Sequence, residues 1–289
     1  MKNVKVNILL ALFAIVGLSL SCTTDSDSGG GSDNNKHQRV VSKIVCEYMN
    51  EDWVDEYAFK YNSEGRITRI THAYTDLEDS YEEELCHYER YKYGSGNELV
   101  IEWEDDGYEA DVYEATLNNN GYLSTVYYEN DDYTDEWSYT YDTKGRLISV
   151  LNEYGSDEDC WTKFVYKWSG GNVVEITSED DEGDLATRYI SYNSKSMDMV
   201  NIDLNAALGG FVGGLYIDVC DNGYYGDGLC GQKSKNLMTG WVHEDDSEEY
   251  QETYEEIIKW SYDEDGYPVG AVVAEDGEEY CRVSIEYKK

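Results

Sequence analysis

Carboxylates are the most abundant chemically active side chains of this sequence, since 61 of its 289 residues are Asp or Glu. Hard divalent cations such as calcium bind several carboxylate oxygens at once, so adjacent acids are candidate ligands. No segment matches a complete calcium-binding loop, because Cys220 stands at a ligand position of the best match, Asp218–Gly223. No cofactor is predicted, and the acidic residues are expected to form a solvated rim that keeps this tyrosine-rich protein soluble. Calcium is the alternative, and its candidate ligands are Asp105, Asp106, Asp131, Asp132, Asp180 and Asp181.

Paired carboxylates also carry out glycoside hydrolysis, in which one acts as an acid and the other as a base or nucleophile. So many acids offer too many pairs for one to be singled out, and no catalytic residue is predicted. The chain contains no Gly-x-Ser-x-Gly elbow, no phosphate-binding loop and no dinucleotide-binding fingerprint. A non-enzymatic protein is favoured, and a hydrolase of an extracellular polymer such as a glycan stays the alternative.

Six cysteines follow Cys22, an even number that permits disulfides in an exported protein. Cys220 and Cys230 flank a glycine-rich loop that a disulfide would close. Cys46 and Cys281 fall on the first and last predicted strands, which become neighbours if these strands close a barrel. Buried free thiols are the alternative for all four. The histidines form no metal-binding motif, and each is expected on the surface or on a strand.

The formal net charge of −39 limits the partners of the protein. Nucleic acids and anionic lipid surfaces are bound by clustered Lys and Arg, so nucleic acid is excluded as a partner. The same composition includes 29 Tyr and a single proline, Pro268. Tyrosine favours strands and proline interrupts their hydrogen-bond ladders, so the composition indicates an all-β protein.

The first residues form an export signal. Lys2 and Lys5 precede an apolar run over Ile8–Leu20 that is too short to span a bilayer but suits a signal peptide over residues 1–21. The run ends at Leu18–Cys22, which resembles a lipobox, so Cys22 is the expected lipidation site. Residues 22–37 are then a lipidated, flexible, acidic tether. We expect anchoring in the outer membrane through this lipid only, with the cell surface favoured over the periplasmic face.

The rest of the chain repeats one unit of about 24 residues: an aromatic-rich alternating run, a tight turn, a second alternating run and an acidic connection. Aspartate or asparagine at the first turn position and glycine at the left-handed position are typical of short hairpins. The Asn/Asp-x-x-Gly turns are Asn62–Gly65, Asn118–Gly121, Asp142–Gly145 and Asp263–Gly266. The predicted hairpins are Tyr57–Tyr74, Tyr88–Trp103, Tyr113–Tyr128, Trp137–Tyr154, Phe164–Thr177, Tyr189–Leu204 and Trp260–Ala274.

Seven hairpins and the extra strands Val40–Met49 and Tyr280–Tyr287 predict an up-and-down antiparallel meander of about 16 strands, which should curl or close into a barrel. Residues 38–289 form this single domain, and residues 205–235 are an insert that packs inside the barrel or caps it, or gates a ligand. In a meander the tight turns share one end. The acidic connections share the other end and are Glu104–Asp111, Glu129–Glu136, Glu153–Asp159, Glu179–Asp184, Glu244–Glu249 and Glu275–Glu279.

Two segments carry a resemblance to known repeats. Tyr141–Leu147 and Tyr61–Ile67 are similar to the tyrosine-aspartate repeats of secreted bacterial shell proteins. The chain from residue 38 onward, including Lys233–Leu237, resembles a family of exported lipoproteins of Bacteroides-type bacteria described as a domain of unknown function with a porin-like fold. The resemblance implies a barrel-like architecture, and no activity is established for that family.

The predicted strands carry cations that a bilayer-facing wall excludes, including Lys60, Arg69 and Lys167. We therefore expect a porin-like but water-soluble barrel on a lipid anchor. The favoured function is a binding or structural module for a glycan or protein, with glycans stacking on exposed Tyr and Trp. Hydrolysis by paired carboxylates and binding of divalent cations by the acidic connections are the alternatives.

Overall fold

Sixteen antiparallel strands close into a barrel in the computed structural model. The structure describes residues 38–49, 53–76, 85–105, 108–130, 133–155, 160–183, 185–213, 228–246 and 251–289. Within them lie β1 (Val41–Tyr48), β2 (Trp53–Tyr61), β3 (Ile67–Asp76), β4 (Leu85–Tyr93), β5 (Glu98–Asp105), β6 (Asp111–Leu117), β7 (Leu123–Glu129), β8 (Thr134–Tyr141), β9 (Leu147–Tyr154), β10 (Trp161–Ser169), β11 (Asn172–Asp180), β12 (Leu185–Ser196), the helix α1 (Leu204–Gly213), β13 (Asn236–Asp246), β14 (Gln251–Tyr262), β15 (Pro268–Glu275) and β16 (Glu278–Tyr287).

Each strand pairs with its neighbours in the sequence, and the first and last strands close the ring. In the seam, Cys46 of β1 lies opposite Val283 and Tyr48 lies opposite Cys281 of β16. Closure satisfies the hydrogen-bonding groups that the two terminal strands of an open sheet would expose. The predicted all-β, closed, porin-like meander is therefore confirmed.

The tight turns are stabilised by the Asn or Asp side chain at the first turn position and by glycine at the left-handed position, as the sequence predicts. In the first of them, the side chain of Asn62 accepts hydrogen bonds from the backbone N–H of Glu64 at 2.9 Å and of Arg66 at 3.0 Å. Gly65 has a φ of 82°, a left-handed conformation that glycine adopts without strain. Asn118, Asp142 and Asp263 accept the same two bonds in the other three turns.

One predicted hairpin is wrong. Tyr189–Leu204 does not fold back on itself, because β12 runs to Ser196 and the chain then enters a short 3₁₀ helix, Met197–Met199, followed by α1. The partner of β12 is β13, which begins at Asn236. The insert therefore occupies residues 197–235, where the repeat would place a tight turn, and it contains a helix that the strand pattern did not predict.

The insert lies across the end of the barrel that carries the tight turns, here called the turn end. Backbone N–H groups of Leu123, Gln232 and Lys235 donate to the carbonyls of Leu229, Gly145 and Gly171, respectively, at 2.8 to 2.9 Å. Leu204, Ala207 and Leu208 of α1 are buried. The described part of the insert thus caps the barrel and packs into its core, as the first of the sequence alternatives predicts.

The inner wall changes character along the barrel. Near the turn end it is made of fully buried aliphatic side chains such as Ile44, Ile70, Leu99 and Leu123. The opposite end, here called the loop end, carries the longer connections, and there the inward positions hold tyrosine, tryptophan, histidine and carboxylates. The interior therefore has an apolar half filled by the insert and a polar, aromatic half at the loop end.

Candidate functional site

The outer wall of the barrel carries ion pairs between neighbouring strands. Lys43 Nζ lies 2.9 Å from Glu56 Oε2, and Lys167 Nζ lies 2.8 Å from Glu175 Oε2. Further pairs join Arg90 to Glu104 and Lys92 to Glu102. A wall that faces lipid needs an apolar band, whereas these charges lie along the strands themselves.

A groove opens in this outer wall near the loop end, where four residues lie directly opposite one another across β7 to β10. Tyr127 pairs with Glu136, Glu136 with Glu153, and Glu153 with Trp161. The four line a cavity of about 350 Å³ together with Tyr154 and neighbouring loop atoms. Directly opposite residues on one face have Cβ atoms about 5 Å apart, so the two carboxylates are neighbours between two aromatic rings.

Hydrogen bonds fix the edges of this groove. The Tyr127 hydroxyl donates to Glu129 at 2.8 Å, and this bond to a carboxylate raises the pKa of Tyr127. Thr134 Oγ1 donates to the Gly155 carbonyl at 2.9 Å, which ties the start of β8 to the end of β9. Aromatic faces beside hydrogen-bond acceptors suit a ligand with apolar faces and many hydroxyl groups.

The prediction that Glu136 and Glu153 lie in acidic connections is wrong. Both lie on strands, in β8 and β9, with their side chains on the outer wall. The alternation of β8 contained the signal, because Asp135, Trp137 and Tyr139 are buried and therefore face inward, which leaves Glu136 facing outward. Their juxtaposition depends on the register between strands, which a single sequence does not reveal.

On the inner wall of the loop-end half, four aromatic rings stack across β2 to β5. The ring of Tyr57 lies 4.4 Å from that of His72, His72 lies 5.4 Å from His87, and His87 lies 5.4 Å from Trp103. His72 Nε2 is 3.1 Å from Asp55 Oδ1. Burial lowers the pKa of His87, and the neighbouring imidazole of His72 lowers it further.

The three described histidines lie on strands, which was one of the two expected locations. His72, His87 and His243 are strand residues, but they lie on the inner wall; His37 lies outside the described residues. Among the residues that the structure describes, no group of three or more His, Cys, Asp or Glu side chains could hold a metal ion. The sequence contained a signal for the inward position of His72 and His87, since each alternates with an inward tyrosine or carboxylate.

The candidate calcium ligands do not come together in the described part of the chain. Asp106, Asp131 and Asp132 lie outside it, and Asp105 is described by its backbone alone. The carboxylate of Asp180 accepts a hydrogen bond from the backbone N–H of Glu182 at 3.1 Å. Asp181 accepts one from the N–H of Trp161 at 3.3 Å, which connects it to the start of β10.

Four carboxylates are buried within the described strands, and each has a local partner. Asp55 contacts His72, the Tyr91 hydroxyl donates to Glu89 at 2.7 Å, and the Asn152 amide donates to Asp135. The Tyr280 hydroxyl lies 2.9 Å and 3.0 Å from the two oxygens of Glu256. These acids lie on β2, β4, β8 and β14, so no two occupy neighbouring strands.

The cysteines of the seam are fully buried and in contact. Cys46 and Cys281 are free thiols in this structure. Of the other predicted pair, Cys220 lies outside the described residues, so the disulfide between Cys220 and Cys230 stays a prediction. The contact with Cys281 and burial both raise the pKa of Cys46. The strands do bring Cys46 and Cys281 together, as the predicted closure requires, without joining them covalently.

None of the helices within the described residues has the length and hydropathy to cross a membrane. Cys22 and the tether lie outside these residues, so the structure does not test the predicted lipidation.

Two crystal structures share the architecture. A porin-like protein from Bacteroides uniformis ATCC 8492 is 18% identical, with a TM-score of 0.62 over 86% of this chain and 98% of the other. A porin-like protein from Bacteroides vulgatus ATCC 8482 is 14% identical, with a TM-score of 0.60 over 87% of this chain and 99% of the other. At these identities the similarity shows the fold alone. No curated protein matches the chain.

A family model matches residues 59–270, which is well over half of the chain. The family is described as a domain of unknown function with porin-like fold, in agreement with the closed barrel and with the resemblance seen in the sequence. The chain therefore belongs to the family DUF4595, the domain of unknown function with porin-like fold.

Proposed function

We propose that the protein is an exported, lipid-anchored glycan-binding module that binds its ligand in the outer groove of β7 to β10. The observation that carries this proposal is the row of Tyr127, Glu136, Glu153 and Trp161 along a cavity of about 350 Å³. Sugar rings stack their apolar faces on aromatic rings, and their hydroxyl groups donate to carboxylates. The cavity falls within the usual size range of small-molecule sites.

The test is a glycan array probed with the purified full chain and with Trp161→Ala. Loss of the aromatic wall should weaken binding about tenfold or more, as at other aromatic hot spots. Trp53→Ala is the matched control, because Trp53 is 38% exposed on β2, away from the groove. An array without any bound glycan, or equal losses in the two variants, would refute the assignment of the groove.

Hydrolysis is the second candidate, because Glu136 and Glu153 lie directly opposite on neighbouring strands. Retaining glycosidases hold their two carboxyl groups about 5 Å apart. Binding is preferred because both side chains are exposed, whereas the acid of a glycosidase is held in apolar surroundings. Release of reducing ends from a bound glycan, abolished in Glu136→Gln and in Glu153→Gln, would establish hydrolysis instead.

The anchoring proposal rests on the lipobox-like Leu18–Cys22, the polar tether and the charged outer wall. In it the lipid on Cys22 is the only membrane contact, and the barrel body stays in water at the cell surface. Cys22→Ser should move the chain from the membrane fraction to the soluble fraction. Protease added to intact cells should cleave the wild-type chain; protection until the outer membrane is opened would place it on the periplasmic face.

A further inference from the structure

Arg188 lies on the inner wall of β12, on the same face as the buried Ile190. Among the residues that the structure describes, none forms an ion pair or hydrogen bond with the Arg188 guanidinium, and none places an aromatic ring against it. Its Nε atom is buried and makes no hydrogen bond. Burial lowers the pKa of Arg188, which shows that its charge is partly desolvated.

An unpaired, partly buried cation is costly, since burial removes hydration that no partner replaces. The other inward charges of this barrel follow the opposite rule. Asp55, Glu89, Asp135 and Glu256 each contact a donor on the protein. Acidic side chains are abundant in this chain, with 61 Asp and Glu residues, so the lack of an ion pair at Arg188 does not come from a shortage of carboxylates. The exception therefore indicates a ligand group rather than a structural ion pair.

Arg188 belongs to a row that could complete such a site. Across β10 to β14, Tyr166 pairs with Ile176, Ile176 with Arg188, Arg188 with His243, and His243 with Tyr254. Tyr166 and His243 are buried, and the rings of His243 and Tyr254 stack at 4.7 Å. Two tyrosines and a histidine thus lie on the same face of the wall as Arg188.

Charge and shape define the ligand. A guanidinium offers two parallel N–H donors that match a carboxylate, and tyrosine hydroxyls can donate to the same oxygens. Asp245, two residues beyond His243, acts on Arg188 through its charge but lies beyond ion-pair distance. The Tyr166 ring also lines a cavity of about 60 Å³ whose walls include Tyr139, Val150 and Val173. A cavity of this size and polarity accepts a few carbon atoms.

We propose that Arg188 and its row bind the carboxylate of a small aliphatic acid, with the short carbon chain directed along Tyr166 into the apolar cavity. This site lies on the inner wall, so it is separate from the outer groove and does not depend on glycan binding there.

The test follows the NMR signal of the Arg188 Nε–Hε group in the full chain. This signal is assigned by its absence from the spectrum of Arg188→Lys. Butyrate should shift this signal in a saturable way at millimolar concentration, because the buried Nε gains an acceptor. Butyramide has the same shape without the charge and should leave the signal in place. Chloride at equal ionic strength is the control for screening.

Arg188→Gln should weaken butyrate binding, measured by calorimetry, by roughly 10- to 100-fold, the value of a charge-assisted hydrogen bond. Arg282→Gln is the matched control, since Arg282 is exposed on the outer wall of β16. Absence of a saturable shift with the wild-type chain would overturn the proposal, whether or not Arg188→Gln folds. Equal shifts with butyramide, or with sulfate, would also overturn it, because the site would then not select a carboxylate.

Discussion

The two halves of the barrel interior are built from the same repeating hairpin but differ in polarity. In the turn-end half, aliphatic side chains and the insert exclude water: Leu204 and Leu208 are at most 1% exposed. In the loop-end half, the same inward positions carry His72 and Glu256, which contact Asp55 and Tyr280, and Trp103, which stacks on His87. The difference indicates that apolar packing at the turn end stabilises the fold, whereas the loop end can carry polar and ionisable side chains in its interior.

The largest expected effect is in the turn-end half. Leu204→Ala removes a side chain that is 0% exposed and leaves a cavity between α1 and the barrel wall, so it should lower the free energy of unfolding by about 2–5 kcal/mol. Urea unfolding of the full chain measures it. Leu185→Ala is the matched control, because Leu185 is 41% exposed on the outer wall and its loss should cost about 0.5 kcal/mol or less. Similar losses in the two variants would contradict the structural role of the insert.

The next effect concerns the buried amide that joins α1 to β13. Asn205 Nδ2 donates to the Asn236 carbonyl at 2.8 Å, and its Oδ1 accepts from the Met238 N–H at 2.7 Å. Asn205→Ala leaves both backbone groups unpaired and should cost roughly 2–3 kcal/mol in thermal or urea unfolding. Asn120→Ala, in an exposed turn, should be nearly neutral. A neutral Asn205→Ala would show that the insert is held by apolar packing alone.

A pH-dependent effect distinguishes the loop-end half. Burial raises the pKa of Glu256 from 4.5 to about 7. Between these values the native state keeps a proton that the unfolded chain releases, so the free energy of unfolding falls as pH rises. Glu256→Gln should remove this fall. The difference in free energy of unfolding between the variant and wild type should therefore be larger at pH 8 than at pH 4 by roughly 1–3 kcal/mol, in favour of the variant.

The control for that comparison is Glu255→Gln, because the Glu255 side chain is exposed on the outer wall. Unfolding curves at pH 4 and pH 8 for the three chains give the required differences. If Glu256→Gln and wild type respond identically to pH, the carboxyl of Glu256 is hydrated in solution and the loop-end half is wetter than the contact with Tyr280 indicates.

The smallest effect is expected from the hydroxyl of Tyr128 in the loop-end half. The Tyr128 hydroxyl donates to Asp111 at 2.7 Å. The same hydroxyl accepts from Asn130 Nδ2 at 3.0 Å. Tyr128→Phe removes both hydrogen bonds and should cost about 1 kcal/mol, because both are partly hydrated. Tyr122→Phe, at the turn end, should leave the melting temperature unchanged. A loss of several kcal/mol for Tyr128→Phe would mean that the loop-end half is as tightly packed as the turn-end half.

Local signals predicted much of the fold. The Asn/Asp-x-x-Gly turns form as expected because each depends on a side chain that bonds its own backbone, a contact within five residues. The hairpin Tyr189–Leu204 failed for the opposite reason. Its alternating run resembles a returning strand, but the apolar residues Ile202 and Leu204 are buried in the insert instead. An alternating pattern predicts an apolar face, but it does not identify the element that packs against that face.

The candidate sites were hidden from the sequence for a physical reason. Glu136 and Glu153 are separated by 16 intervening residues, and Tyr166 is further still from His243. The residues of each site lie side by side across neighbouring strands only because the turns and the burial of one face set the register between those strands. A shift by one residue in any strand would place its member on the other wall.

The sequence by itself determined the antiparallel hairpin repeat and the excess of acid, because these depend on local residue types and short-range order. The tertiary structure decided the closure between β1 and β16, the capping of one end by the described part of the insert (residues 197–213 and 228–235) and the assignment of side chains to the inner or outer wall. Those features depend on pairing between distant strands, since only a closed ring satisfies every strand edge and gives the apolar insert a place to be buried.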